Sequence, residues 1–376
     1  MNDSPPSSLP GYKHIIVRGT NWLGDAVMAA PALMRLREKF SDARIALLTP
    51  EKLRQLWMHH PAVDEVIAFS SQESVFAIAG RLRVKKFDAA LVLPNSPRAA
   101  LEMFLAGVPV RIGYARPWRR FFLTKNVAPG PDALKMRKRT VQEIKALIGS
   151  NGKFGIRTGP FSRTAHQSRE YLRLAAAMGA DPEPLPPSLF VTAQEVEAVR
   201  QKFDLAANLG PIFGMNAGAE YGPAKRWPRE RYTAVAREIQ KQTNCAWLLF
   251  GGKNDIETAN YVQCALGEGQ SVFNVAGKTS LRDLMSLMKL CRVLVTNDTG
   301  PMHVAAALAV PVVAIFGSTS PELTAPLATS GSRVQILASN APCAPCFLRA
   351  CPIDFRCMNG IMPAAVVEAV LQCVTA

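Results

Sequence analysis

The sequence predicts an α/β protein made of two nucleotide-type domains, each with a parallel sheet covered by helices. Short apolar, β-rich segments alternate with longer helical ones almost throughout the chain, which is typical of a parallel sheet wrapped by helices. The length of 376 residues exceeds what one ordinary hydrophobic core serves, so about two domains are expected. A proline-rich break near the middle, residues 181–188, separates two such series.

The first series predicts a sheet from the N-terminal half. Its strands are predicted at His14–Arg18, Ile45–Thr49, Glu65–Phe69, Ala89–Leu93 and Val110–Gly113. Four of the eight residues in 181–188 are proline, which resists both helix and central strand, so this segment is predicted as the linker. We therefore expect a loose tail at 1–10, a first domain at 11–183 and a second at 184–376.

The second series begins with helix signals. Thr192 with Glu195 forms a capping-box pattern before a helix that runs to about Phe203, and Ser280 with Asp283 repeats it. Pro228 precedes a further predicted helix, Arg229–Lys241. The predicted strands of this half are Pro211–Met215, Ala246–Phe250, Ser271–Val275, Val293–Thr296, Val312–Phe316 and Val334–Leu337.

The net charge of +15 is concentrated in the first half, because residues 1–188 carry +13 of it. The densest stretch, Arg116–Arg139, holds eight Lys or Arg residues against one Asp. Such a stretch favours phosphates or an anionic surface, with a solvated loop that only aids solubility as the alternative. No recognised nucleic-acid-binding module accompanies it, so no nucleic-acid partner is expected.

The lack of a recognisable targeting signal predicts a cytoplasmic protein. The first ten residues are polar and Pro/Ser-rich, and no basic region followed by an apolar stretch precedes the folded part, so no secretory signal is predicted. Apolar runs such as 309–316 are far shorter than the roughly 20 residues that cross a bilayer. Without a signal peptide, the eight cysteines are interpreted as reduced thiols.

The first candidate site is the segment 20–26, Thr-Asn-Trp-Leu-Gly-Asp-Ala, between a predicted strand and a helix predicted over Ala26–Lys39. Open α/β sheets bind ligands at the carboxyl ends of their strands. Gly24 permits a close bend, and Asp25 is predicted at the helix start with its carboxylate facing outward, as an N-cap or as a catalytic base. The spacing of Gly19 and Gly24 does not match a dinucleotide fingerprint.

The second candidate site is the segment 216–228, which begins at Asn216. Small residues around Gly218 leave backbone N–H groups accessible to phosphate oxygens, and Lys225 and Arg226 add positive charge. This combination predicts a diphosphate site, with an ordinary loop carrying a solvated basic pair as the alternative.

The third candidate site is the segment 297–303, where a polar strand end runs into a small-residue helix. Free N–H groups and the helix dipole bind anions, so Thr299, Gly300 and the following amides are predicted to hold a phosphate, with His303 one turn further on the same side. Asp298 as a helix cap and His303 as a packing residue are the alternatives.

Two further segments leave alternatives open. After the strand Ala246–Phe250, Asp255 and Glu257 are both candidates to hydrogen-bond ribose hydroxyls, and the spacing favours neither over an ordinary helix start. Near the end, four cysteines follow the spacing Cys-x2-Cys-x4-Cys-x5-Cys, which is compatible with a tetrahedral zinc or with inert or redox-active thiols. These cysteines are Cys343, Cys346, Cys351 and Cys357.

Taken together, segments 21–27, 218–228 and 297–307 resemble the ADP-heptose:lipopolysaccharide heptosyltransferase family, glycosyltransferase family 9, and the resemblance covers nearly the whole chain. It implies the glycosyltransferase B fold: two Rossmann-like domains with parallel sheets facing a central cleft, the acceptor on the first and the ADP-sugar on the second. The Cys-rich segment 343–357 is similar to a tail seen in a subset of the family, and Pro301 stands where leucine is more usual.

The resemblance also implies roles for individual residues. Asp25 corresponds to the general base and Lys225 to the diphosphate-binding lysine. Asp298, Thr299, Gly300 and His303 correspond to the donor-binding segment of the family. With the candidates from the other segments, the predicted donor-binding set is Asn216, Gly218, Lys225, Glu257, Asp298, Thr299, Gly300 and His303, and the choice between Glu257 and Asp255 for the ribose stays open. The predicted acceptor-contacting set is Thr20, Asn21, Gly24, Arg119, Arg120, Arg137 and Lys138.

The implied reaction is an inverting transfer of L-glycero-D-manno-heptose from ADP-heptose onto the heptosyl-Kdo-lipid A inner core, with no cofactor and no catalytic metal. The enzyme is expected in the cytoplasm, peripheral on the anionic inner leaflet of the inner membrane. Addition to Kdo-lipid A without heptose, a sugar-nucleotide epimerase of the same fold and a basic nucleic-acid-binding protein are the alternatives.

Overall fold

The computed structural model describes residues 11–134, 136–148, 155–267, 271–329 and 332–374. The chain divides into two compact units. The first unit comprises the residues up to Ala133 together with Gln167–Pro187, and the second comprises Leu134–His166 together with Ser188–Ala376. The chain therefore passes between the units three times, and the last passage falls at the end of the predicted linker.

This division differs from the continuous first domain predicted at 11–183, because residues 134–166 pack with the second unit. That segment carries a net charge of +7, so the first unit holds +6 and the second +9. The expectation of a positive charge concentrated in the first domain was therefore wrong for the compact units. The assignment of acceptor binding to the first and ADP-sugar binding to the second stays a prediction.

The first unit is built on a six-stranded parallel sheet in the order β3-β2-β1-β4-β5-β6. Its strands are β1 His14–Arg18, β2 Arg44–Pro50, β3 Glu65–Phe69, β4 Ala89–Val92, β5 Val110–Tyr114 and β6 Lys125–Val127. The chain order reverses between β1 and β4, and a reversal of this kind opens a crevice at the carboxyl ends of the two strands. The loop after β1, which contains the first candidate site, lies at that point.

Helices flank this sheet and bury a continuous apolar core against it. Up to residue 176 the helices are α1 Leu23–Lys39, α2 Val75–Arg83, α3 Pro97–Leu105, α4 Val141–Leu147 and α5 Gln167–Ala176, of which α4 belongs to the second unit. Short 3₁₀ turns occupy Glu51–Trp57 and Arg120–Phe122. Helix α5 packs along α1, so the chain returns to the first unit to complete it.

The second unit contains a seven-stranded sheet in the order β10-β9-β8-β11-β12-β13-β7, with only β7 antiparallel among the described strands. Its strands are β7 Ile156–Arg157, β8 Ile212–Asn216, β9 Ala246–Phe250, β10 Val272–Asn274, β11 Leu294–Asn297, β12 Val312–Phe316 and β13 Val334–Ser339. The order reverses between β8 and β11, where Asn216 is paired with Thr296. The second and third candidate sites follow these two strands.

Besides α4, the described helices of this unit are α6 Ala193–Lys202, α7 Arg229–Thr243, α8 Ile256–Leu266, α9 Leu281–Lys289, α10 Gly300–Ala307, α11 Pro321–Thr324, α12 Arg356–Asn359 and α13 Pro363–Val374, with 3₁₀ turns at Pro223–Lys225 and Lys253–Asp255. Thr192 and Ser280 make the two predicted capping boxes, with Glu195 and Asp283 as their partners. Their reciprocal bonds satisfy the free N–H groups at both helix starts.

Candidate active-site residues

Asp25 lies in the first turn of α1, which begins at Leu23, three residues earlier than predicted. Gly24 is therefore a helical residue and not a bend in a loop, and the N-cap is Trp22 and not Asp25. The carboxylate oxygen Oδ1 of Asp25 accepts hydrogen bonds from Gln167 Nε2 at 2.6 Å and from the Tyr171 hydroxyl at 3.3 Å. Two side chains of α5 thus fix the orientation of this carboxylate.

The surroundings of Tyr171 keep its hydroxyl protonated, so that it can donate a hydrogen bond to Asp25. Burial raises the pKa of Tyr171 well above its usual range, and the neighbouring Asp25 carboxylate adds to the rise. The phenol consequently keeps its proton at neutral pH and can donate to the carboxylate. Gln167 also donates to the Tyr171 hydroxyl at 2.9 Å, which closes a three-residue network around Asp25.

A buried ion pair supports the loop in front of α1. Arg18, at the end of β1, is 2% exposed, and its Nε donates to Glu102 Oε2 at 2.8 Å. The same guanidinium donates to the Gly19 carbonyl at 2.6 Å and to Asn21 Oδ1 at 3.1 Å. Asn21 is therefore held from within the unit. The buried Thr20 hydroxyl has no hydrogen-bond partner among the described residues.

The predicted acceptor-contacting arginines do not form one surface. Arg119 is buried, and its guanidinium donates to the Pro94 carbonyl at 2.7 Å and to Asn95 Oδ1 at 3.1 Å. Burial lowers the pKa of Arg119 to about 10, with nearby Arg116 contributing, so it remains charged at neutral pH. Arg119 thus anchors its loop to the sheet edge. Contact of Arg119 with a bound acceptor stays a prediction.

On either side of that anchor, the loop is exposed. Trp118 and Phe121 are 79% and 67% exposed, and Arg120 lies 5.0 Å from the centre of the Phe121 ring. Arg137 and Lys138 are exposed too, but they belong to the segment that packs with the second unit, and Arg137 pairs with Glu143 at 2.6 Å. Of the four predicted basic residues, Arg120 alone is an exposed cation of the first unit.

In the second unit, Asn297 ties the two strand-end loops together. Its Nδ2 donates to the carbonyls of Ala217 at 2.8 Å and Gly218 at 3.2 Å, and its Oδ1 accepts from the Trp227 amide at 3.0 Å and the Tyr232 hydroxyl at 2.9 Å. All four polar bonds are buried. Asn297 therefore holds the loop after β8 in register with the start of α10.

Lys225 and Asp298 form an ion pair at this junction. Lys225 Nζ lies 2.7 Å from Asp298 Oδ2, and the Thr319 hydroxyl donates to the same oxygen at 2.5 Å. The lysine also lies over the ring of Tyr221 at 5.2 Å. Asp298 precedes the N-cap Thr299, so it positions Lys225 and does not cap α10.

The first turn of α10 has its backbone amides at the place where the sequence predicts an anion site. Thr299 is the N-cap and makes no side-chain cap bond, while Thr299 and Gly300 are both partly exposed. Pro301 lies at the second helical position, where its missing N–H is not needed, so this departure from the family does not disturb the helix start. The free N–H groups lie in the same unit as Lys225, at the strand reversal.

His303 is buried one turn into α10 and is 4% exposed. Burial lowers the pKa of His303 to about 4, nearby His166 and Lys225 act in the same direction, and Asp298 opposes them. The imidazole is consequently neutral at physiological pH and offers a hydrogen bond, not a positive charge. His166 is itself held in place, because its Nε2 donates to the Ala325 carbonyl at 2.8 Å.

The ribose candidates differ in their surroundings. Asp255 lies against Gly218, where an added Cβ would come within 2.2 Å of the carboxylate, and it accepts from Arg226 at 3.1 Å. The side chain of Glu257 is 90% exposed and pairs with Arg229 at 3.3 Å. The structure therefore brings Asp255, and not Glu257, into contact with the loop after β8.

The four clustered cysteines, hereafter the thiol cluster, line one small cavity together with Ala224 and Ser318. Three of them are buried and Cys351 is half-buried. Among the residues the structure describes, no three or more His, Cys, Asp or Glu side chains are already arranged to hold a metal ion. The zinc and thiol interpretations of this cluster both remain predictions.

Several of these residues were missed by sequence reasoning. Gln167 and Tyr171 lie more than 140 residues from Asp25 in the chain, and their helix shows only an ordinary amphipathic pattern. Asn297 was part of a recognised segment, yet nothing in its spacing distinguishes a structural amide from a binding one. Thr319 follows a strand end, which is the one signal that could have found it.

Comparison with known proteins identifies the family. The model of glycosyltransferase family 9 (heptosyltransferase) matches residues 75–355. The chain is 32% identical over 332 residues to lipopolysaccharide heptosyltransferase 2 of Salmonella typhimurium and to that of Escherichia coli, covering 86% of this chain and 88% of each relative. The solved structure of E. coli ADP-heptose LPS heptosyltransferase II matches with a TM-score of 0.75 and 29% identity, over 96% of this chain and 98% of that one.

The fold and these matches define a glycosyltransferase with the B fold, as predicted. The chain belongs to glycosyltransferase family 9, the heptosyltransferases. Its predicted heptosyltransferase II function is confirmed by relatives that match over most of their length. In the described parts of the chain, none of the helices has both the length and the apolar character to span a membrane.

Proposed function

We propose that this enzyme transfers L-glycero-D-manno-heptose from ADP-heptose to the heptosyl-Kdo-lipid A inner core, with inversion at the anomeric carbon. The main support for donor binding is the position of Lys225 at the strand reversal of the second unit, which also contains the first turn of α10. Cationic and backbone N–H donors at such a point are suited to a diphosphate.

In the proposed reaction, an acceptor heptose hydroxyl attacks the anomeric carbon of the donor while the bond to ADP breaks. Asp25 takes the hydroxyl proton as the new bond forms, because an alcohol becomes far more acidic late in the attack. The Gln167 and Tyr171 hydrogen bonds orient the carboxylate for this step. The reaction needs no covalent enzyme intermediate.

The departing diphosphate gains negative charge. We assign the stabilisation of this charge to Lys225 and the amides of Thr299 and Gly300. Asp298 and Thr319 hold Lys225 in place, and neutral His303 supplies a hydrogen-bonding group nearby. We propose that Lys225 and these backbone amides stabilise the diphosphate without a cofactor or a divalent metal. Asp255 is the better candidate for a ribose contact, since it lies against Gly218.

The acceptor carries Kdo carboxylates and phosphates. We propose that exposed cations of the first unit, Arg120 among them, bind these groups. Arg119 serves this surface indirectly by fixing the loop.

The function is tested by incubating purified protein and ADP-heptose with Kdo-lipid A that carries one heptose or none. We expect growth of the mono-heptosylated acceptor, detected by mass spectrometry. Growth of the heptose-free acceptor instead would assign the enzyme to the first addition. A third incubation without lipid should leave ADP-heptose unchanged; its conversion into another sugar nucleotide would identify an epimerase.

We further propose that the enzyme works in the cytoplasm as a peripheral protein of the inner membrane's cytoplasmic face. The net charge of +15 attracts an anionic leaflet, and this attraction weakens when salt screens it. Sedimentation with anionic vesicles should therefore exceed that with neutral vesicles and should fall as salt rises from about 50 to about 300 mM. Equal binding to both vesicle types would contradict the proposal.

A further inference from the structure

The thiol cluster gathers four sulfur atoms around one cavity of about 10 Å³. That volume is close to the minimum that holds a single water molecule. Cys343, Cys346 and Cys351 come from one irregular segment, while Cys357 lies on α12. Four thiols that converge on one small, mostly buried space form the donor set that tetrahedral thiophilic metals prefer.

One backbone N–H group is directed at a sulfur atom of this cluster. The Phe355 N–H donates to Cys351 Sγ at 3.3 Å. The backbone therefore already orients one of the four sulfurs.

Two arginines lie near the cluster. Arg356 interacts electrostatically with Cys343 and Cys351, and Arg139 interacts with Cys346. Arg139 is fixed there, because its Nη1 donates to the Pro342 carbonyl at 2.9 Å and its amide donates to the Cys346 carbonyl at 3.1 Å. Four thiolates on a divalent ion leave a net charge of about −2. Arg139 offsets part of this charge, whereas Arg356 already pairs with Asp354 at 3.0 Å.

The four sulfurs line one cavity but are not yet arranged around an ion, because no three or more His, Cys, Asp or Glu side chains of the described residues have the geometry of a metal site. A bound ion would replace the thiol protons and draw the sulfurs together.

We propose that Cys343, Cys346, Cys351 and Cys357 bind one thiophilic divalent ion, zinc or ferrous iron, and that this ion fixes the segment that holds the Tyr221–Lys225 loop. On binding, four S–H bonds lose their protons to solvent and four metal–sulfur bonds form, with no change in oxidation state. Side-chain rotation brings the sulfurs to the ion, and the site is structural because no open coordination position remains.

The coupling to the loop rests on direct contacts within the second unit. The Tyr221 hydroxyl donates to the Phe347 carbonyl at 2.8 Å, and the Ala224 amide donates to the Arg349 carbonyl at 3.0 Å. Both acceptors lie between the second and third cysteines. Gly222, at φ +151°, approaches so closely that an added Cβ would lie 2.5 Å from the Arg349 oxygen. A fixed thiol segment therefore fixes the loop that carries Lys225.

The first test measures metal in the intact protein. Protein purified under reducing conditions should contain about one equivalent of zinc plus iron by elemental analysis. After chelation, titration with Co²⁺ should produce thiolate-to-metal charge-transfer bands and the visible bands of tetrahedral cobalt, saturating at about one equivalent. Failure to take up Co²⁺ with these bands would overturn the proposal.

Variants assign the ligands. Cys343→Ser and Cys351→Ser should each lose the charge-transfer bands, whereas Cys264→Ser, a change at an exposed thiol of α8 outside the cluster, should retain them. Because the Co²⁺ titration uses the native protein, the proposal remains testable even where a variant fails to fold. Retention of the full Co²⁺ spectrum by both cluster variants would remove these cysteines from the ligand set.

Hydrogen exchange tests the coupling separately from any activity. Amides of the Tyr221–Lys225 loop should exchange faster after metal removal and recover on addition of Zn²⁺. The metal-loaded Cys264→Ser protein should behave like the unchanged protein. Identical exchange of this loop with and without metal would show that the ion does not fix it, whatever the outcome for sugar transfer.

Discussion

At the scale of single residues, Asp25 shows how a carboxylate is prepared for proton transfer by neighbours distant in the chain. Its two donors come from one face of α5, at positions 167 and 171, one turn apart. Residues four apart on a helix point the same way, so both reach the same oxygen. The orientation of the proposed base therefore depends on how α5 packs against α1.

Replacement of Asp25 by asparagine tests its role as the base. The amide oxygen that Asp25→Asn introduces can still accept from Gln167 and Tyr171, so the local structure should persist while the proton acceptor is lost. We expect the turnover number to fall by about 100- to 10,000-fold, with donor affinity unchanged. Asp42→Asn, at an exposed acid of the same unit, is the control. Near-normal turnover of the Asp25 variant would exclude this role.

Lys225 is the residue on which donor affinity should depend most. Lys225→Ala removes the cation assigned to the diphosphate and leaves Asp298 facing the phosphates without its partner. A lost charge-assisted bond corresponds to an increase of about 10- to 100-fold in the dissociation constant for ADP. Calorimetric titration with ADP measures it. Lys241→Ala, at a 75% exposed lysine of α7, should leave ADP affinity unchanged; equal losses in both variants would argue against the assignment.

At the scale of elements, a buried ion network joins the end of β1 to α3. Glu102 is fully buried and accepts from Arg18 at 2.8 Å and from Arg98 at 3.1 Å. A network of this kind costs desolvation to form, yet the loss of one partner leaves an uncompensated buried charge. The loop before α1 depends on it, because Arg18 also holds Asn21.

Glu102→Ala should therefore destabilise the first unit strongly. Leaving Arg18 buried without its carboxylate is expected to cost about 3–5 kcal/mol of unfolding free energy. Chemical denaturation followed by fluorescence measures the loss. Glu51→Ala breaks a surface pair whose atoms are 3.8 Å apart and whose side chains are both mostly exposed, so its effect should be about 0–1 kcal/mol. Similar midpoints for the two variants would contradict the interpretation of the buried network.

At the scale of the whole molecule, each unit contains a buried histidine that must stay neutral. Burial lowers the pKa of His60 in the first unit and of His303 in the second to about 4. The ordinary pKa of histidine in an unfolded chain is about 6.5. Between about pH 4 and about pH 6.5, the two histidines are therefore protonated in the unfolded chain but not in the folded one. Stability is thus complete above about pH 6.5 and falls as the pH drops towards 4.

This linkage predicts a measurable acid sensitivity. Each histidine adds a slope of at most about 1.4 kcal/mol per pH unit within that window. His60→Gln and His303→Gln should each flatten the dependence of the unfolding midpoint on pH, and the exposed neighbour variant His59→Gln is the control. An unaltered slope in both buried-site variants would show that other groups control the acid response.

The sequence alone determined the layered α/β architecture and the positions of eleven of the thirteen described strands, but it did not predict β6 or β7. Buried parallel strands are nearly continuous apolar runs, so β1, β9 and β12 were predicted with their observed limits. Both capping boxes followed from local chemistry within four residues. The three candidate segments were also recognisable, because each follows a clearly predicted strand and contains small or charged residues.

Only the tertiary structure decided which residues act together. It placed residues 134–166 with the second unit, buried Arg119 as an anchor, and brought Gln167 and Tyr171 to Asp25. Local patterns record whether a side chain prefers water, a strand or a helix cap. They do not record which distant element will pack against it, because that depends on contacts formed only when the whole unit is folded.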